Sequence, residues 1–110
     1  MFVRNRNQNE KNVGEGAYRK ILSYSDNLMV CEIRLQKGSV TPIHTHPHEQ
    51  STYVVSGRCI GRIGGEEQLL QSGDTMLSRK NEPHGLTALE DSVILDIFTP
   101  ARTDFLEDGI

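Results

Sequence analysis

The sequence predicts an all-β protein, and three observations lead there. Short runs of alternating apolar and polar residues follow one another at intervals of roughly ten residues. Each run ends in residues that turns require, and no stretch sustains a helical period. Hydrophobic residues make up 35% of the chain and aromatics only 5%, with no Trp. So few large side chains suit a small barrel or sandwich closing on itself better than a large helical bundle. A chain of 110 residues is expected to form one domain, residues 1–110, with a single core.

The elements follow in order. Residues 1–12 are polar and are expected to form a flexible start, and Gly14 and Gly16 precede the first strand, 18–23. After Ser25-Asp26-Asn27 comes 28–36, where Met29, Cys31, Ile33 and Leu35 alternate with Glu32 and Arg34, the pattern of a strand with one buried face. Lys37-Gly38 closes it. In the run 50–56, alternation sends Thr52 and Val54 one way and Tyr53 and Val55 the other, so both faces carry an apolar side chain. Ser56-Gly57, Gly64-Gly65 and Ser72-Gly73-Asp74 then separate strands at 59–63, 68–71 and 75–78. Beyond Lys80-Asn81-Glu82-Pro83 lie strands at 84–88 and 92–98, divided by Glu90-Asp91. The last places Asp96 on one face with Ile94 and Phe98, where a carboxylate is costly to bury without a partner.

Charge and cysteine content exclude several functions. Twelve Lys and Arg against fifteen Asp and Glu give a net charge of −3, and no basic block suggests nucleic acid as a partner. The apolar runs are too short for a membrane span, and the first residues lack the apolar core of a signal peptide. The expected location is cytoplasmic. Cys31 and Cys59 lie in strand-like segments without metal-binding or redox spacing, which marks them as buried free thiols.

Histidine is where the sequence becomes chemical. Of four histidines, three stand in His44-Thr45-His46-Pro47-His48-Glu49-Gln50 and the fourth in Pro83-His84-Gly85. On one strand His44, His46 and Gln50 would share a face. Pairing that strand with the one carrying His84 would complete a three-nitrogen, one-oxygen set for a divalent ion. Zinc, nickel, manganese and iron all accept imidazole. Glu49 has the opposite parity and is expected to point outward. His48 has inward parity, but Pro47 interrupts the ladder beside it, so a pocket-rim role and a structural role both stay open.

The spacing from Gly38 through His44-x-His46 and Gln50 to Gly57, followed by Gly73-Asp74 and Pro83-His84-Gly85, resembles the two motifs of the cupin family, with Gln50 where most members place Glu. The resemblance implies a jelly-roll β-barrel, His44, His46, Gln50 and His84 as metal ligands, and a homodimer. The sequence itself offers only a surplus of apolar strand faces for such a dimer.

A narrower resemblance comes from the unbroken His-Pro-His-Glu-Gln and from the tail Leu95-Asp96-Ile97-Phe98-Thr99-Pro100, then Arg102, Asp104 and Phe105. It looks like the small pectin-degradation cupins, which convert 4,5-unsaturated monouronates to the linear 4-deoxy-5-keto uronate. Carried over, it implies Asp96 and Arg102 as catalytic residues, and Phe98, Arg102 and His48 at an anionic sugar substrate. The segment Ser78-Arg79-Lys80-Asn81 is more basic than the family pattern. A metal-dependent dioxygenase of the same fold and a non-catalytic sugar-binding cupin are the alternative readings. An apolar setting would raise the carboxyl pKa of Asp96 while Arg102 would lower it, and the sequence does not rank the two.

Overall fold

The computed structural model describes residues 1–107. Ten strands form two antiparallel sheets stacked face to face, a jelly-roll sandwich. They are β1 (Lys11–Gly14), β2 (Ala17–Tyr24), β3 (Met29–Leu35), β4 (Val40–His44), β5 (Glu49–Ser56), β6 (Arg58–Ile63), β7 (Glu66–Gln71), β8 (Thr75–Ser78), β9 (His84–Ala88) and β10 (Ser92–Thr99). The larger sheet runs β1-β2-β3-β10-β5-β8 and the smaller β4-β9-β6-β7. A short helix, α1 (Thr103–Glu107), follows β10. Among the described residues no helix is long and apolar enough to cross a membrane.

The alternation read from sequence decides what is inside. Met29, Cys31, Ile33 and Leu35 are buried on β3, while Thr52 and Val54 are buried and Tyr53 and Val55 exposed on β5. From the smaller sheet Cys59, Leu70, Leu86 and Ala88 meet them. Both thiols are free and buried, and burial pushes Cys31 up to about 12, which keeps it an inert core residue.

Four elements depart from expectation. Residues 1–12 are expected to be a flexible start, yet Asn5–Asn7 form a 3-10 turn and Lys11–Gly14 a strand. Asn5 donates to Glu32 at 2.9 Å and accepts from Lys20 at 2.8 Å, polar contacts between distant segments that periodicity does not register. Strand β4 carries Pro42 and exposes most of its side chains, so it lacks the alternation of a core strand. Helix α1 is a single turn, too short to show a period.

Two glycines are needed, one where the chain crosses between the sheets and one inside the smaller sheet. Gly57, at φ 87°, links β5 to β6, and a Cβ there would collide with the Ser92 side chain and the Asp91 carbonyl. Gly85 lies beside β4, where a Cβ would stand 2.8 Å from the Thr41 carbonyl. Its missing side chain lets β4 approach β9 and brings His44 opposite His84 in register.

Candidate metal centre and cavity

The ligating atoms of His44, His46 and His84 all lie within 4.8 Å of one another. They reach that point by a route the parity argument did not foresee. His44 ends β4 in the smaller sheet, His46 stands in the loop after it, and Gln50 is on β5 in the larger sheet. The expectation that these three share one strand face is therefore corrected. Pro47 lies in that loop, where the chain leaves one sheet for the other, and the side chains converge across the sandwich.

Backbone carbonyls orient all three rings. The Nδ1 of His44 donates to the Pro42 carbonyl at 2.8 Å, that of His46 to His48 at 3.0 Å and that of His84 to Glu82 at 2.8 Å. A carbonyl can only accept, so each Nδ1 carries the proton and each Nε2 presents a lone pair. Burial holds the pKa values of His46 and His84 below the usual histidine range, which favours the neutral, ligating form.

Two contacts test whether a cation fits. The Nε2 of His84 is buried with no hydrogen-bond partner. The Nε2 of His46 faces Gln50 Oε1 at 2.9 Å. With Nδ1 protonated, that is one lone pair against another, an arrangement that repels unless a positive ion stands beside both. A divalent metal held by His44, His46, His84 and the Gln50 oxygen fits these residues.

The other end of the Gln50 amide donates to Thr52 Oγ1 at 3.1 Å and to Asp96 Oδ1 at 2.9 Å, and Thr52 donates to the same oxygen at 2.8 Å. Cross-strand register builds this group, since Asp96 on β10 stands opposite Thr52 on β5, with Phe98 opposite Gln50 one row away. Burial raises the Asp96 pKa, while the bonds from Thr52 and Gln50 and the charge of Arg102 pull it back. Burial is the largest influence, which ranks the two effects left open by the sequence.

Asp96, Phe98 and Arg102 line one cavity of about 310 Å³ with His44, His84 and Gln50. Arg102 lies across the rings of Phe98 and Phe105, at 5.1 and 4.1 Å. Its Nε and Nη2 are both engaged by the Asp104 carboxylate, at 3.0 and 2.8 Å. His48 does not line the cavity. Its ring stands edge-on to His46 and Phe98 at 5.4 and 6.3 Å, and its carbonyl holds His46. Glu49 is exposed, as parity implied. The turn carrying Arg79 and Lys80 lies outside the lining, but its Asn81 N–H donates to the His46 carbonyl at 2.9 Å.

The sequence reading missed Arg19 and Phe105, which line the same cavity. The signal for Arg19 was present in β2, where Ala17, Arg19 and Ile21 share the inward face.

A family model described as a cupin domain matches residues 31–98. The chain belongs to the cupin family. Among curated relatives, this cupin is 42% identical over 96 residues to the pectin degradation protein KdgF of Dickeya dadantii (strain 3937), covering 86% of this chain and 87% of that protein. It superposes on the structure of KdgF from Halomonas sp. with a TM-score of 0.92 at 34% identity, covering 96% of this cupin and 97% of that one. An RmlC-like cupin from Shewanella frigidimarina NCIMB 400 matches with the same TM-score at 30% identity, over 96% and 95% of the two chains.

Proposed function

We propose that this cupin converts 4,5-unsaturated monouronates to the linear 4-deoxy-5-keto uronate. Gln50 carries the reading, because its one amide touches His46 at the oxygen and Asp96 at the nitrogen, joining a cation site to a carboxylate inside a single cavity. Support also comes from the likeness to KdgF of Dickeya dadantii, a pectin degradation protein by name.

When bound, a divalent metal held by His44, His46, Gln50 and His84 would supply an undiminished positive charge, since all four ligands are neutral, for binding a carboxylate and polarising oxygen. Asp96 handles the proton. Its carboxylate takes the C1 hydroxyl proton as the bond from C1 to the ring oxygen breaks, leaving an aldehyde at C1 and an enolate at C5. Returning that proton to C4 gives the C5 ketone, so atoms balance and no co-reactant is consumed. A carboxyl raised above its usual range is matched to both taking and returning a proton. Phe98 forms a wall of the cavity and Arg102, stacked against it, adds positive charge. His48 serves by fixing His46 through its carbonyl, not by touching the sugar. We take the protein to act as one domain, in the cytoplasm, and as a homodimer covering Tyr53, Val55 and Leu77, which are exposed on β5 and β8.

A panel of unsaturated monouronates, incubated with metal-loaded protein under nitrogen, tests the proposal. The expected result is loss of the conjugated enol-ether absorbance and appearance of the keto product by NMR. Product only with oxygen uptake would show a dioxygenase instead. Thermal stabilisation by uronates without any product would show a binding protein.

A further inference from the structure

We propose that Asp104 is a positioning residue, a carboxylate outside the cavity that grips one edge of the Arg102 guanidinium and so holds the other edge ready for an anionic ligand within. Both carboxylate oxygens take part, Oδ1 accepting from Nε at 3.0 Å and Oδ2 from Nη2 at 2.8 Å. This is the two-bond fork in which arginine and carboxylate pair most strongly and with a fixed mutual orientation. It leaves Nη1 and the second N–H of Nη2 as a further fork, without a hydrogen-bond partner among the described residues.

The pair spans the cavity wall. Arg102 lines the cavity and its side chain is only 13% exposed, whereas Asp104 is outside the lining and 56% exposed. An ion pair between two solvated side chains would contribute little. This one reaches a guanidinium already packed against two rings, Phe105 at 4.1 Å and Phe98 at 5.1 Å. The rings restrain the plane of the guanidinium, and Asp104 sets its rotation within that plane. Backbone bonds keep the partners in place, the Phe105 N–H donating to the Arg102 carbonyl at 3.0 Å and the Ala101 N–H to the Asp26 carbonyl at 3.2 Å. The bond from Arg102 also holds the Asp104 carboxyl below the usual carboxylate range, so the grip stays ionised at neutral pH.

Charge alone argues for the opposite role. A carboxylate near an anion site repels the anion, so deleting it would strengthen binding unless its hold on Arg102 is worth more. Two features favour the hold. The Asp104 carboxylate stands largely in water, which weakens its repulsion of an anion on the far side of the guanidinium. An arginine side chain also loses much conformational freedom on being fixed, and the Asp104 bond takes that loss before any ligand arrives. The ligand class is a small sugar acid, whose carboxylate matches the planar fork that remains. That the acid is an unsaturated uronate rests on the function proposed above.

Two measurements on metal-loaded protein test Asp104 separately from that function. In equilibrium binding, the native protein is expected to prefer galacturonate, which has no C4–C5 double bond to react, over neutral galactose. Asp104→Ala and the equal-sized Asp104→Asn should each weaken galacturonate binding about tenfold, the low end for a hydrogen bond to a charged group, and leave galactose binding unchanged. Asp104→Glu, which keeps the charged fork on a longer stem, should recover part of the loss. In an Arg102→Gln background Asp104→Ala should cost nothing further, because the effect passes through Arg102. In turnover of an unsaturated uronate, Asp104→Asn should raise KM by a similar factor with a smaller change in kcat. If the native protein turns over no uronate but the binding differences hold, the reaction is wrong and the positioning role stands. Equal or tighter galacturonate binding in Asp104→Ala and Asp104→Asn would overturn the proposal and make Asp104 a competitor for Arg102. A parallel loss for galactose, or the same loss when Arg102 is already replaced, would overturn it as a disturbance of α1. A native protein that turns over uronate yet binds galacturonate no better than galactose would overturn it too, with the reaction left standing.

Discussion

The side-chain amide of Gln50 donates to Asp96 Oδ1 at 2.9 Å while its oxygen faces His46 Nε2 at the same distance. One neutral side chain thereby serves two neighbours with opposite demands. An acidic residue in its place could ligate a metal but would set a negative charge against Asp96. This explains why an amide stands where most cupins carry a carboxylate.

Gln50→Glu is therefore expected to bind divalent metal more tightly, through an anionic ligand, and to lose turnover by at least about tenfold as the bond to Asp96 becomes a repulsion. Chelator competition and kinetic assays measure the two effects. Unchanged turnover would separate Gln50 from the proton chemistry.

Burial holds the Asp96 carboxyl above the ordinary range, so the folded state binds its proton more tightly than the unfolded chain does. The resulting stability is fully present below the ordinary aspartate range and is lost as pH rises through the raised value. Asp96→Asn removes that loss. In metal-free protein it should melt higher than the native chain at neutral pH, by about 4–8 °C for each kcal/mol relieved, and the gap should close in acid. Thermal melts across pH check the sign, and a gap that widens in acid would contradict the assignment.

The turn between β8 and β9 holds two of the three histidines. The Glu82 carbonyl receives His84 Nδ1, the Asn81 N–H reaches the His46 carbonyl, and the Glu82 carboxylate closes the turn by accepting from the Arg79 N–H at 3.0 Å. Loosening it by Glu82→Ala should weaken metal affinity about 10-fold. Glu82→Gln retains an acceptor and should restore most of it, which isothermal titration with a divalent metal would measure.

The outer face of the larger sheet carries Tyr53, Val55 and Leu77, each about two-fifths exposed. If a second copy covers them, Val55→Glu together with Leu77→Lys should shift the protein to a monomer in light scattering while leaving the histidine cluster able to bind metal. Equal mass for the native and doubly substituted chains would remove this face as the interface.

Eight strands were legible because period-two alternation is a property of neighbouring residues. The motif histidines and Gln50 were legible because glycines and ligands recur at set offsets. Strand β4 escaped notice because Pro42 and its exposed neighbours carry no alternation, and β1 because its four residues are almost wholly exposed. Arg19 was overlooked for a related reason. An arginine in a strand reads as a solvent-facing residue until the inward parity of Ala17 and Ile21 is given weight.

By itself the sequence determined an all-β chain, its buried faces and the four side chains that meet at the candidate metal site, since each follows from local spacing. Only the tertiary structure decided how they converge. His44 and His84 meet as register partners in one sheet, Gln50 comes from the other, and His46 hangs between them. It also decided that burial outweighs Arg102 at Asp96, that Asp104 occupies an edge of Arg102, and that Arg19 faces the same cavity. Those outcomes depend on which strands pair and how far each side chain is removed from water, quantities that exist only once the two sheets have closed on each other.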